Sequence, residues 1–99
     1  MILEIAYVEV AILNQSEFEL AARKAVDEIM SSSSGFIDFE MCRGIEDEST
    51  YVFIVRWETL EDHIFGFRES ELFQKWRAAI SPYFEKPPVF SGHWEIKTS

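Results

Sequence analysis

Ninety-nine residues suffice for one domain, and 47% hydrophobic content with nine Phe and three Trp is more core-forming material than a disordered acidic chain carries. Eighteen acidic residues against nine basic give a formal net charge of −9, which repels phosphate backbones and anionic lipid and argues against nucleic-acid or membrane partners. The single cysteine, Cys42, has no partner for an intrachain disulfide, and no stretch reaches the roughly 20 apolar residues of a membrane-spanning helix. Residues 1–13 are apolar but include Glu4 and Glu9 and lack the basic start and small-residue cleavage site of a signal peptide. A cytoplasmic protein is expected, with one domain over residues 1–99.

Residues 2–13 are rich in β-branched and aliphatic side chains. There Leu3, Ile5 and Tyr7 alternate with Glu4, Ala6 and Val8, the pattern of a strand buried on most of one face. Ser16 followed by Glu19 is a capping-box pattern, and Phe18, Ala21, Ala22, Ala25 and Ile29 recur at helical spacing, predicting an amphipathic helix that ends near Met30. Four serines and Gly35 then make a turn into a strand over residues 36–43, with Ile37, Phe39 and Met41 on one face. The acidic loop 44–49 and the apolar run 51–57 complete a hairpin. Thr59 is placed to cap a short helix with Leu60, His63, Ile64 and Phe67 on one face. Gly66 and Ser70 break it before a second helix bearing Phe73, Trp76, Arg77 and Ile80, which Pro82 stops. Pro87 and Pro88 stiffen the approach to a last strand over 89–96, in which Phe90, Trp94 and Ile96 alternate with Ser91, His93 and Glu95.

The order βαββαβ, with its second helix broken, predicts an α+β ferredoxin-like fold: an antiparallel sheet with helices on one face. Several strands carry large apolar residues on both faces. The uncovered side therefore predicts a two-fold homodimer, sheet against sheet, with cavities between sheet and helices.

The string YVFIVRWETLEDH at 51–63, continuing through Phe67, Arg68, Glu69 and Ser70 to Phe73, Trp76 and Arg77, resembles the antibiotic biosynthesis monooxygenase (ABM) family of dimeric α+β barrels. The first strand, the alanine-bearing first helix, Gly35-Phe36 and the closing Gly92-His93-Trp94-Glu95 extend the resemblance over nearly the whole chain. It implies a cofactor-independent monooxygenase acting on a small anthrone- or quinol-like aromatic. Trp57 matches the family's strand-end tryptophan, and His63 and Arg77 fall where anthrone-oxidising members place a polar ring residue and an arginine facing the cavity. His63 stands where those members have tyrosine, and Phe53 where they have asparagine. The haem-degrading branch has a ligand histidine where this chain has Phe67 and a first-strand asparagine for which the nearest residue here is Asn14, so haem degradation is not expected.

The residues leave alternatives at each position. His63 is either a general base with a pKa set by burial and neighbours, or a core histidine bonded to a backbone carbonyl. Trp57 and Trp76 either stack on a substrate ring or fill the sheet–helix interface; Arg77 either stabilises a phenolate or peroxide anion or pairs with an acid. Tyr7 and Phe53 are candidate substrate contacts; His93, like Tyr7, is a cavity or interface group or simply packs between strands. Arg56 is expected in an ion pair. No metal-ligand spacing, phosphate-binding Gly-rich loop or Rossmann motif is present, so no cofactor is expected. A non-catalytic small-molecule-binding or interaction module on the same dimeric fold is the competing reading.

Overall fold

The alternating segments form a four-stranded antiparallel sheet in the order β2-β3-β1-β4, built from β1 (Ile2–Glu9), β2 (Phe36–Arg43), β3 (Thr50–Trp57) and β4 (Val89–Glu95). The structure, a computed structural model, describes residues 1–98. Helix α1 (Gln15–Glu28), a wide π-helical turn (Asp62–Arg68) and helix α2 (Glu71–Ile80) supply the second layer. This is the ferredoxin-like α+β arrangement predicted from the element order.

β3 sets the core. Its alternation is unbroken, with Tyr51, Phe53, Val55 and Trp57 buried under the helices and Thr50, Val52, Ile54 and Arg56 on the other face. β1 runs beside it in continuous register from Ile2 opposite Trp57 to Glu9 opposite Thr50. Phe18 from α1 is fully buried among Tyr51, Phe53, Tyr83 and Phe84, with ring centroids 5.0–6.2 Å away. Truncating such a side chain costs about 3–5 kcal/mol. The face of β1 under the helices is that of Ala6, Val8 and, beyond its end, Val10, whereas Leu3, Ile5 and Tyr7 lie on the helix-free face.

Several local expectations are corrected. β1 ends at Glu9, because residues 12–14 turn into a short 3-10 segment whose Ile12 and Leu13 are exposed. Ser16 lies within α1 instead of capping it; the buried Gln15 amide ties the helix start to the carbonyls of Val10 (3.2 Å) and Glu48 (2.6 Å). β2 carries a bulge at Ile37, which turns that side chain away from the core face shared by Phe36 and Phe39. β4 carries another between Phe90 and Gly92, so Phe90 and His93 share the helix-covered face while Val89 and Trp94 sit on the other. Ile96 lies beyond β4.

Two turns follow the expected chemistry. Thr59 Oγ1 accepts the Asp62 N–H at 3.1 Å, capping the turn that begins there. Gly35 has φ +85°, and a β-carbon at that position would lie 2.1 Å from Asp62 Oδ2, so backbone conformation and space both require glycine. Arg56 pairs with Asp38 at 3.1 Å, as expected.

Candidate functional site

Large rings on β3 facing small side chains on β1 leave room between the sheet and the second helical layer. A cavity of about 300 Å³ opens there, walled by Ala6, Val8, Phe53, Phe73, Trp76 and Ile80, with Glu4, His63, Arg68, Arg77 and Phe90 also on its lining. Apolar walls with a few convergent polar groups are the usual composition of a small-molecule site.

The polar groups form a chain. Glu4, on the helix-covered face of a central strand, accepts the Trp57 Nε1–H at Oε1 (3.0 Å), and His63 Nε2 lies 3.2 Å from the same oxygen. His63 Nδ1 is 2.7 Å from His93 Nε2. With Glu4 ionised and His63 neutral, this geometry has one consistent proton arrangement: His63 donates Nε2–H to the carboxylate and accepts His93 Nε2–H at Nδ1. Glu4 Oε2 meets no protein donor among the described residues.

Burial pushes the Glu4 pKa above the ordinary carboxylate value, against the opposing effects of the Trp57 hydrogen bond and the Arg68 charge. His63, 1% exposed and packed near-parallel to the rings of Trp57 and Phe67, is pushed down to about 3 by burial first, then by His93 and Arg68. The His93 pKa is lowered by burial and then by Arg68. At neutral pH both imidazoles are uncharged.

Of the residues singled out in the sequence, His63, Arg77, Trp76 and Phe53 are brought together on this cavity. His63 is bonded to a carboxylate and a second imidazole, not to a backbone carbonyl. Arg77 is exposed at the rim, its Cζ 6.0 Å from the Phe73 ring centroid, with no carboxylate in ion-pair range among the described residues. Trp57 is 0% exposed and stands behind the wall, reaching the site through its hydrogen bond to Glu4. Tyr7 does not reach the cavity: it is 43% exposed and borders a separate groove with Glu9, Thr50, Lys86 and Val89. Sequence patterning did not mark Glu4, Arg68 or Phe90 as site residues. An acid in the middle of the apolar run of a strand beside the core was the available signal for Glu4. Arg68 carried none.

The chain is similar to known proteins over most of its length. Residues 1–79 match the family described as antibiotic biosynthesis monooxygenase. The uncharacterized Bacillus subtilis (strain 168) protein YczJ is 35% identical over 82 residues, 83% of this chain and 85% of its own. A crystal structure from Bordetella bronchiseptica, named for the antibiotic biosynthesis monooxygenases, superposes with TM-score 0.88 at 31% identity, covering 98% of this chain and 97% of its own. The ActVA-Orf6 monooxygenase of Streptomyces coelicolor, solved with nanaomycin D, shares the fold with TM-score 0.84 at 17% identity, over 99% of this chain and 88% of that one. The chain belongs to the antibiotic biosynthesis monooxygenase family.

Proposed function

We propose that this protein is a cytoplasmic, cofactor-independent monooxygenase that oxidises a small anthrone- or quinol-like aromatic in the cavity between sheet and helices. The observation that carries this reading is Glu4: a desolvated carboxylate with a raised pKa on the lining of an aromatic-walled cavity, one oxygen held by two donors and the other without a protein donor among the described residues. In this scheme Glu4 Oε2 takes a proton from the activated C–H or O–H of the substrate. His63, with both ring nitrogens engaged, positions and polarises the carboxylate, and His93 fixes the His63 tautomer. Arg77 stabilises the resulting anion, and Phe53 and Trp76 hold the ring. Molecular oxygen is the oxidant. The substrate anion gives one electron to O₂ and the radical pair joins through a C–O bond. For an anthrone, cleavage of the O–O bond with loss of the second hydrogen of the same carbon leaves a carbonyl, and the other oxygen departs as water.

The helix-free face supports the homodimer of the same reading. Leu3, Ile5, Val52 and Ile54 line its centre, Tyr7, Val89 and Trp94 are more exposed around them, and a self-complementary apolar sheet face is best covered by a second copy. Light scattering is expected to give twice the chain mass, and a Trp94→Lys variant to shift toward monomer. Among the described residues no helix is long and apolar enough to cross a membrane.

Oxygen uptake by the purified, metal-stripped protein over a panel of anthrones and hydroquinones tests the chemistry. Uptake above autoxidation is expected, reduced in Arg77→Ala. No uptake across a panel whose members bind refutes turnover and leaves a binding module.

A further inference from the structure

The cavity reverses the charge balance of the chain. The sequence holds twice as many acidic as basic residues, 18 against 9, yet the lining carries two arginines, Arg68 and Arg77, and one acid, Glu4. Both guanidinium groups lie near aromatic rings, Arg68 Cζ 4.8 Å from the Phe90 centroid and Arg77 Cζ 6.0 Å from that of Phe73. Neither has a carboxylate within ion-pair distance among the described residues, whereas Arg56, Lys86 and Lys97 do. A guanidinium resting on a ring keeps its N–H edge free for a two-pronged contact, and apolar walls strengthen its field across the cavity.

Resting on the oxygenase reading above, we propose that the substrate is an aromatic carboxylate, its flat rings against Phe53, Phe73 and Trp76, its carboxylate on Arg68 and Arg77, and its removable proton at Glu4. A carboxylate fits better than a phosphate. Arg77 lies in the last turn of α2, where no helix N-terminal amides join it, and Glu4 on the same lining repels a dianion more than a monoanion. The volume of about 300 Å³ lies at the small end of ligand sites and suits a small fused-ring system.

Calorimetric titration of the full chain with 2-naphthoate and its neutral isostere 2-naphthamide is the test. Naphthoate is expected to bind about tenfold tighter or more, a difference of about 1.4 kcal/mol. The preference is expected to shrink in about 0.5 M salt and to vanish in the Arg68→Gln/Arg77→Gln double variant, with folding of the variant checked by circular dichroism. Equal binding, tighter amide binding, or no binding of either probe overturns the proposal. Neither probe needs to react. A naphthoate preference without oxygen uptake on any panel member refutes the oxygenase reading alone, and oxygen uptake on neutral hydroquinones without that preference refutes the anion site alone.

Discussion

Replacing Glu4 with Gln separates catalysis from stability. Gln keeps an Oε1 to accept from Trp57 Nε1 and His63 Nε2, so the 3.0 Å and 3.2 Å contacts survive while the base is lost. Loss of a positioned general base typically costs about 10²–10⁴ in rate, or about 2.7–5.5 kcal/mol of barrier. Stability moves the other way. Because the folded-state pKa of Glu4 lies above its ordinary 4.5, the folded chain binds this proton more tightly than the unfolded one. Stability is therefore lost as pH rises from 4.5 through the folded-state pKa. Each tenfold difference in proton affinity between the two states is worth about 1.4 kcal/mol. Gln has no such linkage. At pH 7 the variant is expected to melt higher than the wild type, on a scale of about 4–8 °C per kcal/mol, and at pH 4, where the carboxyl is largely protonated in both states, the gap closes. The assays are oxygen uptake with the best panel substrate and thermal unfolding at both pH values. Uptake within about threefold of wild type, or a lower melting temperature at pH 7, refutes the argument that Glu4 is held there against its own solvation.

Trp57→Phe removes the hydrogen bond that lowers the Glu4 pKa, so the acid limb of the pH–rate profile is expected to move to higher pH; an unmoved limb refutes the assignment of that limb to Glu4. His63, held down to about 3 against 6.5 unfolded, takes its proton only on unfolding between those values. Its contribution is complete above pH 6.5 and lost as pH falls toward 3, so His63→Phe is expected to flatten the acid side of the stability curve, measured by urea unfolding across pH 3–7. Gly35→Ala forces a β-carbon into Asp62 at φ +85° and is expected to cost about 1–3 kcal/mol, read as a drop in melting temperature; an unchanged value contradicts the geometry of that turn.

Which parts of this molecule were legible follows from where the backbone keeps its period. β3 alternates without interruption, so its buried set, Tyr51 to Trp57, could be read directly. In β2 the shared face of Phe39 and Met41 could be read too, but Ile37, at the bulge, could not; in β4 Phe90 and Trp94 were expected on one face and lie on opposite ones, because a bulged residue reverses every side chain beyond it. Without the bulge His93 would share a face with neither Phe90 nor Glu4, and the His63–His93 contact would not exist. The widened turn at residues 62–68 keeps His63 and Phe67 buried as helical spacing implied, but leaves Leu60 partly exposed, at 38%.

Glu4 was hidden for a different reason. Along β1 it looks like a polar position alternating with Leu3 and Ile5, the ordinary signature of a solvated face, yet the larger side chains opposite on β3 decide which face the helices cover. The acid is thereby carried under the second layer, a conflict between local pattern and burial that a stable fold tolerates only when partners answer it. Those partners come from three separate elements: Trp57 at the end of β3, His63 and Arg68 on the π-helical turn, and, behind His63, His93 on β4. Glu4 lies near one end of the chain, His93 near the other and the remaining partners between them, so no window of local periodicity contains the site. Their combined donors and charge still leave the carboxylate pKa raised by burial. A raised carboxylate pKa of this kind suits the role that the proposed oxygenase reading gives Glu4, of competing for a substrate proton.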